Sequence, residues 1–278
     1  MSSADADVEA VMAPELRQLL ESVYVRYQHD FRDYAPAMLQ RRVGLLVNSL
    51  GLDGVAQLED QIIADPAVFD RLLRQLTIQV SDMFRDPQYY AAVRQLVVPT
   101  LKTFPSVKVW VAGCSTGEEL WSLAILFHEE GLLERTRFYA TDISASALRT
   151  AESGIYPIER VAAFSRNYLA AGGRASLSDY YVAAYGAASF ARSLPVRAVF
   201  ADHSLATDSV FSEVHFASCR NVLIYFGRSL QDRAIGLFRD SLVRNGFLGL
   251  GSHESLRFST HGQAFETIAA RERLYRRH

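Results

Sequence analysis

The residues best suited to chemistry lie in GCSTGEE, Gly113 to Glu119, directly after the apolar run VKVWVA. Glycines let a turn bring backbone N–H groups close to a ligand at the start of a helix. Gly113 and Gly117 do not complete the three-glycine dinucleotide motif, and Glu118 and Glu119 would repel a pyrophosphate. The loop therefore favours a cationic ligand, unless both carboxylates only complement the helix dipole.

Asp142 ends the next apolar run, RFYATD. An acidic residue at the tip of the second strand of a nucleotide-binding unit accepts hydrogen bonds from ribose hydroxyls. Aspartate is also a good N-cap for a helix that begins at Ile143. The position of Asp142 after the glycine loop favours ribose binding, but both roles stay open.

Three polar residues follow a later apolar run. Arg220 and Asn221 come directly after VHFASC, and Tyr225 lies in the next run, VLIYF. Ligands of open α/β sheets bind beyond the carboxyl ends of the strands. We therefore expect these residues beside the Gly113 loop, although Tyr225 could equally be a core aromatic residue with a hydrogen-bonded hydroxyl.

The segment QVSDMFRD contributes Gln79, Ser81 and Arg85, where the pattern of the chain changes. Junctions between domains are preferred ligand sites. An arginine at such a junction is also often only a structural tie, so both interpretations of Arg85 remain.

The sequence does not support metal catalysis. The histidines have neither HxxxH nor HExxH spacing, and Cys114 and Cys219 are far apart, so we expect no metal site. The sequence contains no P-loop. Two cysteines also cannot define a disulfide scaffold.

Composition restricts the partners. The chain has 278 residues, a net charge of −2 and a pI of about 6.4, which argues against electrostatic capture of nucleic acid. No apolar run reaches the ~18 residues that span a bilayer, and the acidic N-terminus does not resemble a signal peptide. We therefore expect a cytoplasmic protein without membrane insertion.

Only Lys102 and Lys108 of the 29 basic residues are lysines. Genomic bias explains such an excess, or some arginines form fixed forks that bind carboxylates.

Two parts of the chain with different patterns must position these residues. The first eighty residues are strand-poor and predict a small helical bundle. Its helices are predicted from Pro14 toward Tyr27, from Asp33 to a stop at Gly51, over Val55–Ala64 and from Pro66 to about Leu76. A further helix is predicted to begin at Pro87 and to end before Pro99 or Pro105.

After Pro105, strand-like runs alternate with helical stretches, which predicts an α/β fold with a doubly wound, mostly parallel sheet. The predicted strands are Val107–Ala112, Arg137–Thr141, Val196–Phe200, Val214–Ser218 and Phe247–Leu250, with a final strand pair within Glu266–Tyr275. The predicted helices are Glu118–Glu130, Ala145–Ser153 and Ser229–Val243. The interval 165–192 predicts a small inserted β subdomain. We therefore expect an N-terminal helical domain over 1–82, a linker helix over 83–105 and a sheet domain over 106–278.

Five motifs in order, FRDP, AGCSTGEE, YATDI, SCRNVLIYF and GFLGLGSHESL, resemble the CheR-type chemotaxis receptor protein-glutamate O-methyltransferases. The similarity extends from Asp30 to the terminal RERLYRR. The resemblance implies a Rossmann-like methyltransferase with S-adenosylmethionine as cofactor and S-adenosylhomocysteine as product. It also implies that the substrates are glutamate side chains on chemoreceptor cytoplasmic helices or on a related signalling protein.

The resemblance implies roles for individual residues. Arg85 and Tyr225 match positions near the transferred methyl group and are the candidate catalytic residues. The positions that match cofactor contacts are Gln79, Ser81, Arg85, Glu118, Glu119, Asp142, Ser204, Leu205, Arg220 and Asn221. Among these, Asp142 matches the ribose ligand, and one or both glutamates match the acidic position of the loop. Gln79, Ser81 and Ser204 replace the common Asn, Thr and Asn of the family.

A glutamate carboxylate is ionised at pH 7, so its methylation needs positioning and desolvation rather than a general base. Arg26, Arg32, Arg41 and Arg42 could dock on an acidic receptor coiled coil, or they are solvated charges. The 165–192 insert resembles the β subdomain with which some members of the family grip a receptor C-terminal peptide by strand addition.

Other functions compete with this interpretation. One is a methyltransferase for a small molecule or RNA, and the near-neutral charge argues against RNA. Another is a catalytically silent signalling module that binds S-adenosylmethionine or a partner protein. A nicotinamide-dependent dehydrogenase is disfavoured by the incomplete glycine motif.

Overall fold

The computed structural model describes residues 12–77 and 81–278, which form two compact units. The first unit comprises 12–77 and Tyr225–Gln231. The second comprises 81–224 and Asp232–His278. The predicted domain boundaries at 82 and 105 stay a proposal.

The first unit contains four α-helices, and each begins or ends close to its predicted limits. They are α1 (Pro14–Tyr27), α2 (Pro36–Leu50), α3 (Val55–Ala64) and α4 (Pro66–Leu76). Helix α2 begins at Pro36 rather than at Asp33, because proline is favoured in a first turn where its missing N–H costs nothing. Gly51 ends α2 with a φ of 66°, as the sequence predicts.

The helix predicted from Pro87 is continuous to Leu101 but is not a single α-helix. It consists of α5 (Pro87–Ala92), a π-helical turn (Val93–Val97) and α6 (Val98–Leu101). Pro99 lies within it and cannot donate the regular backbone hydrogen bond, so the helix passes Pro99 with altered winding and ends before Pro105.

The second unit contains a seven-stranded sheet of order β6-β2-β1-β7-β8-β10-β9. Its strands are β1 (Val107–Ala112), β2 (Thr136–Asp142), β6 (Arg197–Asp202), β7 (Val214–Cys219), β8 (Leu242–Leu250), β9 (Phe265–Ala269) and β10 (Leu274–Arg277). The first five run parallel, and β10 pairs antiparallel with β8 and β9. The doubly wound, mostly parallel sheet predicted from the sequence is confirmed.

The three main helices of this unit are α7 (Glu118–Glu129), α8 (Ala145–Ser153) and α10 (Arg228–Ser241). Strand β1 is almost entirely buried, as expected for the central strand of a parallel sheet that is covered on both faces. The register aligns the carboxyl ends of the parallel strands: Ala112 pairs with Thr141, and Asp142 with Asp202. The loops that follow these strands therefore share one edge of the sheet.

A separate three-stranded sheet forms the inserted β subdomain, in the order β3-β5-β4. Strands β4 (Val182–Ala184) and β5 (Ala187–Ser189) lie within the predicted interval 165–192. Strand β3 (Ile155–Pro157) lies before it, and helix α9 (Val161–Ala170) occupies its first residues. The small sheet therefore includes a strand that precedes the predicted interval, and its three residues are too few to show strand alternation in the sequence.

In the described part of the chain, no helix combines the length and the apolar character needed to cross a membrane.

Candidate functional site

The loop after β1 is closely packed. Gly113 has a φ of 65°, and a Cβ there would lie 2.5 Å from Cγ2 of Val222. Gly117 has a φ of 93°, and a Cβ there would lie 2.7 Å from Cα of Ala151. Both positions need glycine, because a side chain would adopt a rare backbone conformation and also collide with its neighbour.

The two glutamates that begin α7 have different environments. Glu118 is fully buried, and both of its carboxylate oxygens are engaged. Nη1 of Arg160 donates to Oε1 at 2.7 Å, and Oγ1 of Thr116 donates to Oε2 at 2.6 Å. The Glu118 carboxylate is therefore part of the protein framework.

Glu119 keeps an unused acceptor. Its Oε2 lies 3.7 Å from Nη1 of Arg220, whereas its Oε1 is buried and has no hydrogen-bond partner among the described residues. Burial raises the pKa of the Glu119 carboxyl above its usual value, although the charge of Arg220 opposes this shift. A buried acceptor without a partner is costly, so Oε1 is suited to a donor supplied by a ligand.

Asp142 joins two loops at the same edge of the sheet. Its Oδ2 accepts the backbone N–H of Ser115 at 2.9 Å, and its Oδ1 accepts that of Ser144 at 2.9 Å. Ser144 is the N-cap of α8 and accepts the N–H of Ala147 at 3.3 Å. The alternative that Asp142 is the N-cap is therefore wrong. Burial raises the pKa of Asp142, while its backbone hydrogen bonds oppose the shift.

Arg220 holds the segment that contains Arg85. Its buried guanidinium donates from Nη2 to the carbonyl of Arg85 at 3.0 Å and to the carboxylate of Asp86 at 2.7 Å, and lies over the ring of Tyr89 at 4.1 Å. Arg85 is exposed, and across 12–77 and 81–278 no hydrogen bond or ion pair engages its guanidinium. Arg220 is thus a structural tie, whereas Arg85 is available to a ligand or substrate.

The other predicted residues have varied environments. Gln79 lies outside the described residues. The carbonyl of Ser81 accepts a hydrogen bond from Arg160. Asn221 has a φ of 60° and donates its N–H to Glu254 at 3.1 Å. Tyr225 ends a 3₁₀ turn that begins at Leu223, belongs to the first unit, and accepts the N–H of Ala35 on its carbonyl at 2.9 Å.

Ser204 and Leu205 follow β6. The hydroxyl of Ser204 accepts the N–H of Ala206 at 3.2 Å, within its own turn. Leu205 is buried, and its carbonyl accepts Nη1 of Arg233 at 3.0 Å. The structure therefore joins Ser81 to Glu118 through Arg160, and joins the backbone of Arg85 to Glu119 through Arg220. Asp142 is linked to the loop after β1 through Ser115, whereas no hydrogen bond among the described residues links Ser204 or Leu205 to Arg160 or Arg220.

Comparison with known families identifies the chain. Residues 79–274 match the CheR methyltransferase SAM-binding domain, and residues 14–77 match the CheR methyltransferase all-alpha domain. The chain belongs to the CheR methyltransferase family. S-adenosylmethionine is therefore its cofactor, as the motifs predict.

Relatives of this CheR chain extend over nearly its whole length. A Pseudomonas putida protein with the name "Putative methyltransferase Cher3" is 51% identical over 95% of this chain and 96% of its own length. A chemotaxis protein methyltransferase from Listeria innocua is 26% identical, covering 82% of this chain and 84% of its own. Among solved structures, the SAM-bound amino pentose methyltransferase CalS10 from Micromonospora echinaspora is 12% identical, covers 58% of this chain and 50% of that chain, and has a TM-score of 0.34.

The residues of this CheR chain fit the cofactor. S-adenosylmethionine carries an ammonium group and a ribose, and the buried, unpartnered Oε1 of Glu119 is a suitable acceptor for the first. Each Asp142 oxygen accepts one backbone N–H and retains capacity for a ribose hydroxyl. Ser115 adds a buried hydroxyl without a partner among the described residues. Among the described residues, no group of three or more His, Cys, Asp or Glu side chains could hold a metal ion.

Three residues that organise this edge were not predicted as site residues. Glu254, within the SHES segment, accepts backbone N–H groups of Gly251 at 2.5 Å, Asn221 at 3.1 Å, Val222 at 2.8 Å and Leu223 at 2.7 Å. The other two are Asp86 and Arg160. The available signal for Glu254 was that it is the only acidic residue of the motif GFLGLGSHESL. Arg160 has no comparable signal, because its partners are distant in sequence.

Proposed function

We propose that this chain methylates glutamate side-chain carboxylates on chemoreceptor cytoplasmic helices, or on a related signalling protein, to give glutamyl methyl esters. The observation that carries the proposal is the CheR match over 79–274, together with a relative that has the name chemotaxis protein methyltransferase. The partners are then acidic helical proteins rather than nucleic acid.

We propose that carboxylates of the site bind the cofactor and that an arginine binds the substrate. When bound, S-adenosylmethionine supplies an electrophilic methyl group on a positively charged sulfur. Glu119 would accept the ammonium group on Oε1, and Asp142 would accept the ribose hydroxyls. Glu118 and Arg220 would act through the framework they hold, and Ser81, Ser204, Leu205 and Asn221 through the loops they belong to. Gln79 is proposed as a contact from its motif position.

Arg85 is the proposed residue for orienting the incoming carboxylate. The substrate glutamate has a reference pKa of about 4.3 and needs no general base at pH 7. Because the Arg85 guanidinium is exposed and has no carboxylate partner in the described chain, it can bind the substrate carboxylate and align it. The hydroxyl of Tyr225 is the second candidate, proposed from its motif.

A transfer assay tests the substrate and these two residues together. Labelled methyl groups from S-adenosylmethionine should enter candidate receptors and be released by base, as expected for an ester. Arg85→Ala and Tyr225→Phe should lower kcat well beyond twofold, and Arg276→Ala, in an exposed ion pair, should not. Turnover of both site variants within twofold of wild type would refute their roles. Tight binding of S-adenosylhomocysteine without any transfer would favour the silent signalling module.

Docking on receptor helices is proposed for the first unit. Arg32 is already paired with Asp30 and Glu21 at 2.8 and 3.1 Å, and Arg42 donates to the carbonyl of Gln75 at 3.2 Å. Arg26 and Arg41 are exposed, so among the four predicted arginines these two are the better candidates. Added salt should raise KM for the receptor while leaving the cofactor Kd nearly unchanged, because exposed charges are screened.

A further inference from the structure

We propose that Arg160 is a positioning residue of the cofactor site, which fixes Ser81 and Asp82 to the first turn of α7. The inference rests on the cofactor site proposed above. It does not depend on which carboxylate is methylated.

One guanidinium joins two distant parts of the chain. Its Nη1 donates to Oε1 of Glu118 at 2.7 Å. Its Nη2 donates to the carbonyl of Ser81 and, at 3.0 Å, to Oδ1 of Asp82. Ser81 lies four residues before Arg85, and Glu118 directly precedes Glu119. Arg160 therefore sets the spacing between the segment with the free arginine and the loop with the free carboxylate oxygen.

The position of Arg160 is itself fixed. It ends a 3₁₀ turn, Ile158–Arg160, that follows strand β3 of the small sheet, and its guanidinium lies 4.8 Å from the ring centre of Phe164. The N–H of Ile158 donates to the carbonyl of Gly186 at 2.9 Å. The small sheet thus anchors the turn from which the Arg160 side chain reaches Glu118.

A second contact from β3 supports the same loop. The hydroxyl of Tyr156 donates to the carbonyl of Thr116 at 2.8 Å. Tyr156 and Arg160 therefore hold residues 116 and 118, the two neighbours of Gly117, whose backbone has a φ of 93°. In this proposal, Tyr156 and Arg160 hold the loop without contacting the cofactor. They are therefore positioning residues rather than binding residues.

The guanidinium of Arg160 cannot be replaced by a single ammonium group. Glu118 is fully buried and needs a paired cation, whereas Ser81 and Asp82 need a second donor that points in another direction. The planar fork of arginine supplies both, and lysine supplies one compact charge. We expect Arg160→Lys to keep Glu118 paired but to release Ser81 and Asp82.

Calorimetry with S-adenosylhomocysteine, together with thermal unfolding, tests the proposal on the full chain. Arg160→Ala should raise the Kd roughly tenfold and lower the Tm, because the loops are misplaced and the Glu118 charge is left unpaired. The double variant Arg160→Ala with Glu118→Gln should recover much of the Tm, since the buried charge is gone, but should keep the raised Kd. Arg160→Lys should keep a Tm close to wild type and still raise the Kd severalfold. Arg276→Ala is the matched control and should change neither quantity.

The decisive result is the double variant. If it restores both Tm and Kd to wild-type values, Arg160 only neutralises Glu118, and the positioning role is wrong. The same conclusion follows if Arg160→Ala or Arg160→Lys binds S-adenosylhomocysteine as wild type does. If the wild-type chain itself fails to bind S-adenosylhomocysteine, the cofactor site is wrong and this inference with it. Failure of methyl transfer into receptors affects only the substrate proposal.

Discussion

Two glutamates lie near the carboxyl edge of the sheet, the partly buried Glu119 in the first turn of α7 and the buried Glu254 in the loop after β8, and their carboxylates are used differently. Glu254, after β8, accepts four backbone N–H groups, so both of its oxygens are occupied. Glu119, after β1, has an oxygen without a partner among the described residues and an arginine at 3.7 Å. Burial raises the pKa of both carboxyls.

The difference separates structure from binding within one edge of the sheet. A carboxylate whose lone pairs are all used by its own chain contributes to folding and has little left for a ligand. A buried carboxylate with an unused oxygen costs stability, which a cationic ligand can recover on binding. We therefore expect Glu254 to affect mainly unfolding and Glu119 to affect mainly affinity.

The largest effect is expected from Glu254→Ala. The variant removes the acceptor of four backbone N–H groups after β7 and β8, of which those of Leu223 and Gly251 are buried, so we expect the free energy of unfolding to fall by about 3 kcal/mol. Urea denaturation measures this loss. Glu266→Ala, which removes an exposed partner of Arg276, is the control and should cost less than about 1 kcal/mol. A loss for Glu254→Ala as small as that of the control would show that its four hydrogen bonds do not stabilise the fold.

Glu119→Gln should show the opposite behaviour. The neutral amide removes an incompletely solvated buried charge, so stability should stay the same or rise, while the Kd of S-adenosylhomocysteine should increase roughly tenfold or more because an ammonium group loses its carboxylate. Calorimetry and urea denaturation on the same preparation give both values. A fall in stability without a change in affinity would reverse the assignment of the two loops.

The pH dependence of binding sharpens the comparison further. Glu119 must be ionised to hold an ammonium group, and burial raises its pKa against the opposing charges of Arg220 and Arg85, with Glu254 adding to the rise. Protonation therefore begins at a higher pH than for a free glutamate, and affinity should decrease severalfold between about pH 8 and about pH 5. Glu119→Gln should lose part of this decrease, and the rest is expected from Asp142, whose pKa is also raised by burial. An affinity that is constant over this range in wild type would contradict the role of Glu119.

Local patterns predicted the elements more completely than the contacts between them. Val107–Ala112 and Ala145–Ser153 were predicted with the bounds they have, because hydrophobic periodicity and helix signals act over a few neighbouring residues. Strand Ile155–Pro157 was missed because a three-residue strand has no detectable period. Its pairing with Ala187–Ser189 depends on tertiary structure.

Sequence patterns were also insufficient to distinguish the roles of individual residues in the candidate site. The motif GEE placed an acidic pair in the loop, but Glu118 and Glu119 are identical neighbours, and only the three-dimensional structure pairs one with Arg160 and leaves an oxygen of the other without a partner. Side-chain partners forty or more residues apart leave no trace in spacing. Asp142 was assigned two roles because ribose binding and N-capping use the same acceptor chemistry.

Ser204 provides the smallest predicted effect and extends the comparison to a third loop. Its position matches a family asparagine that could bind the cofactor, but its hydroxyl accepts the N–H of Ala206 and its own N–H donates to Asp208 at 2.9 Å. The Glu254 carboxylate is likewise used by backbone N–H groups of the chain, although most of them belong to another loop. Ser204→Ala should therefore change the Kd of S-adenosylhomocysteine by less than about twofold and cost about 1 kcal/mol of stability through the lost turn hydrogen bond. Ser204→Asn, which restores the amide of the family, should lower the Kd if the amide reaches the cofactor. A loss of affinity in Ser204→Ala as large as that in Glu119→Gln would mean that internal hydrogen bonding does not distinguish structural from binding groups at this edge.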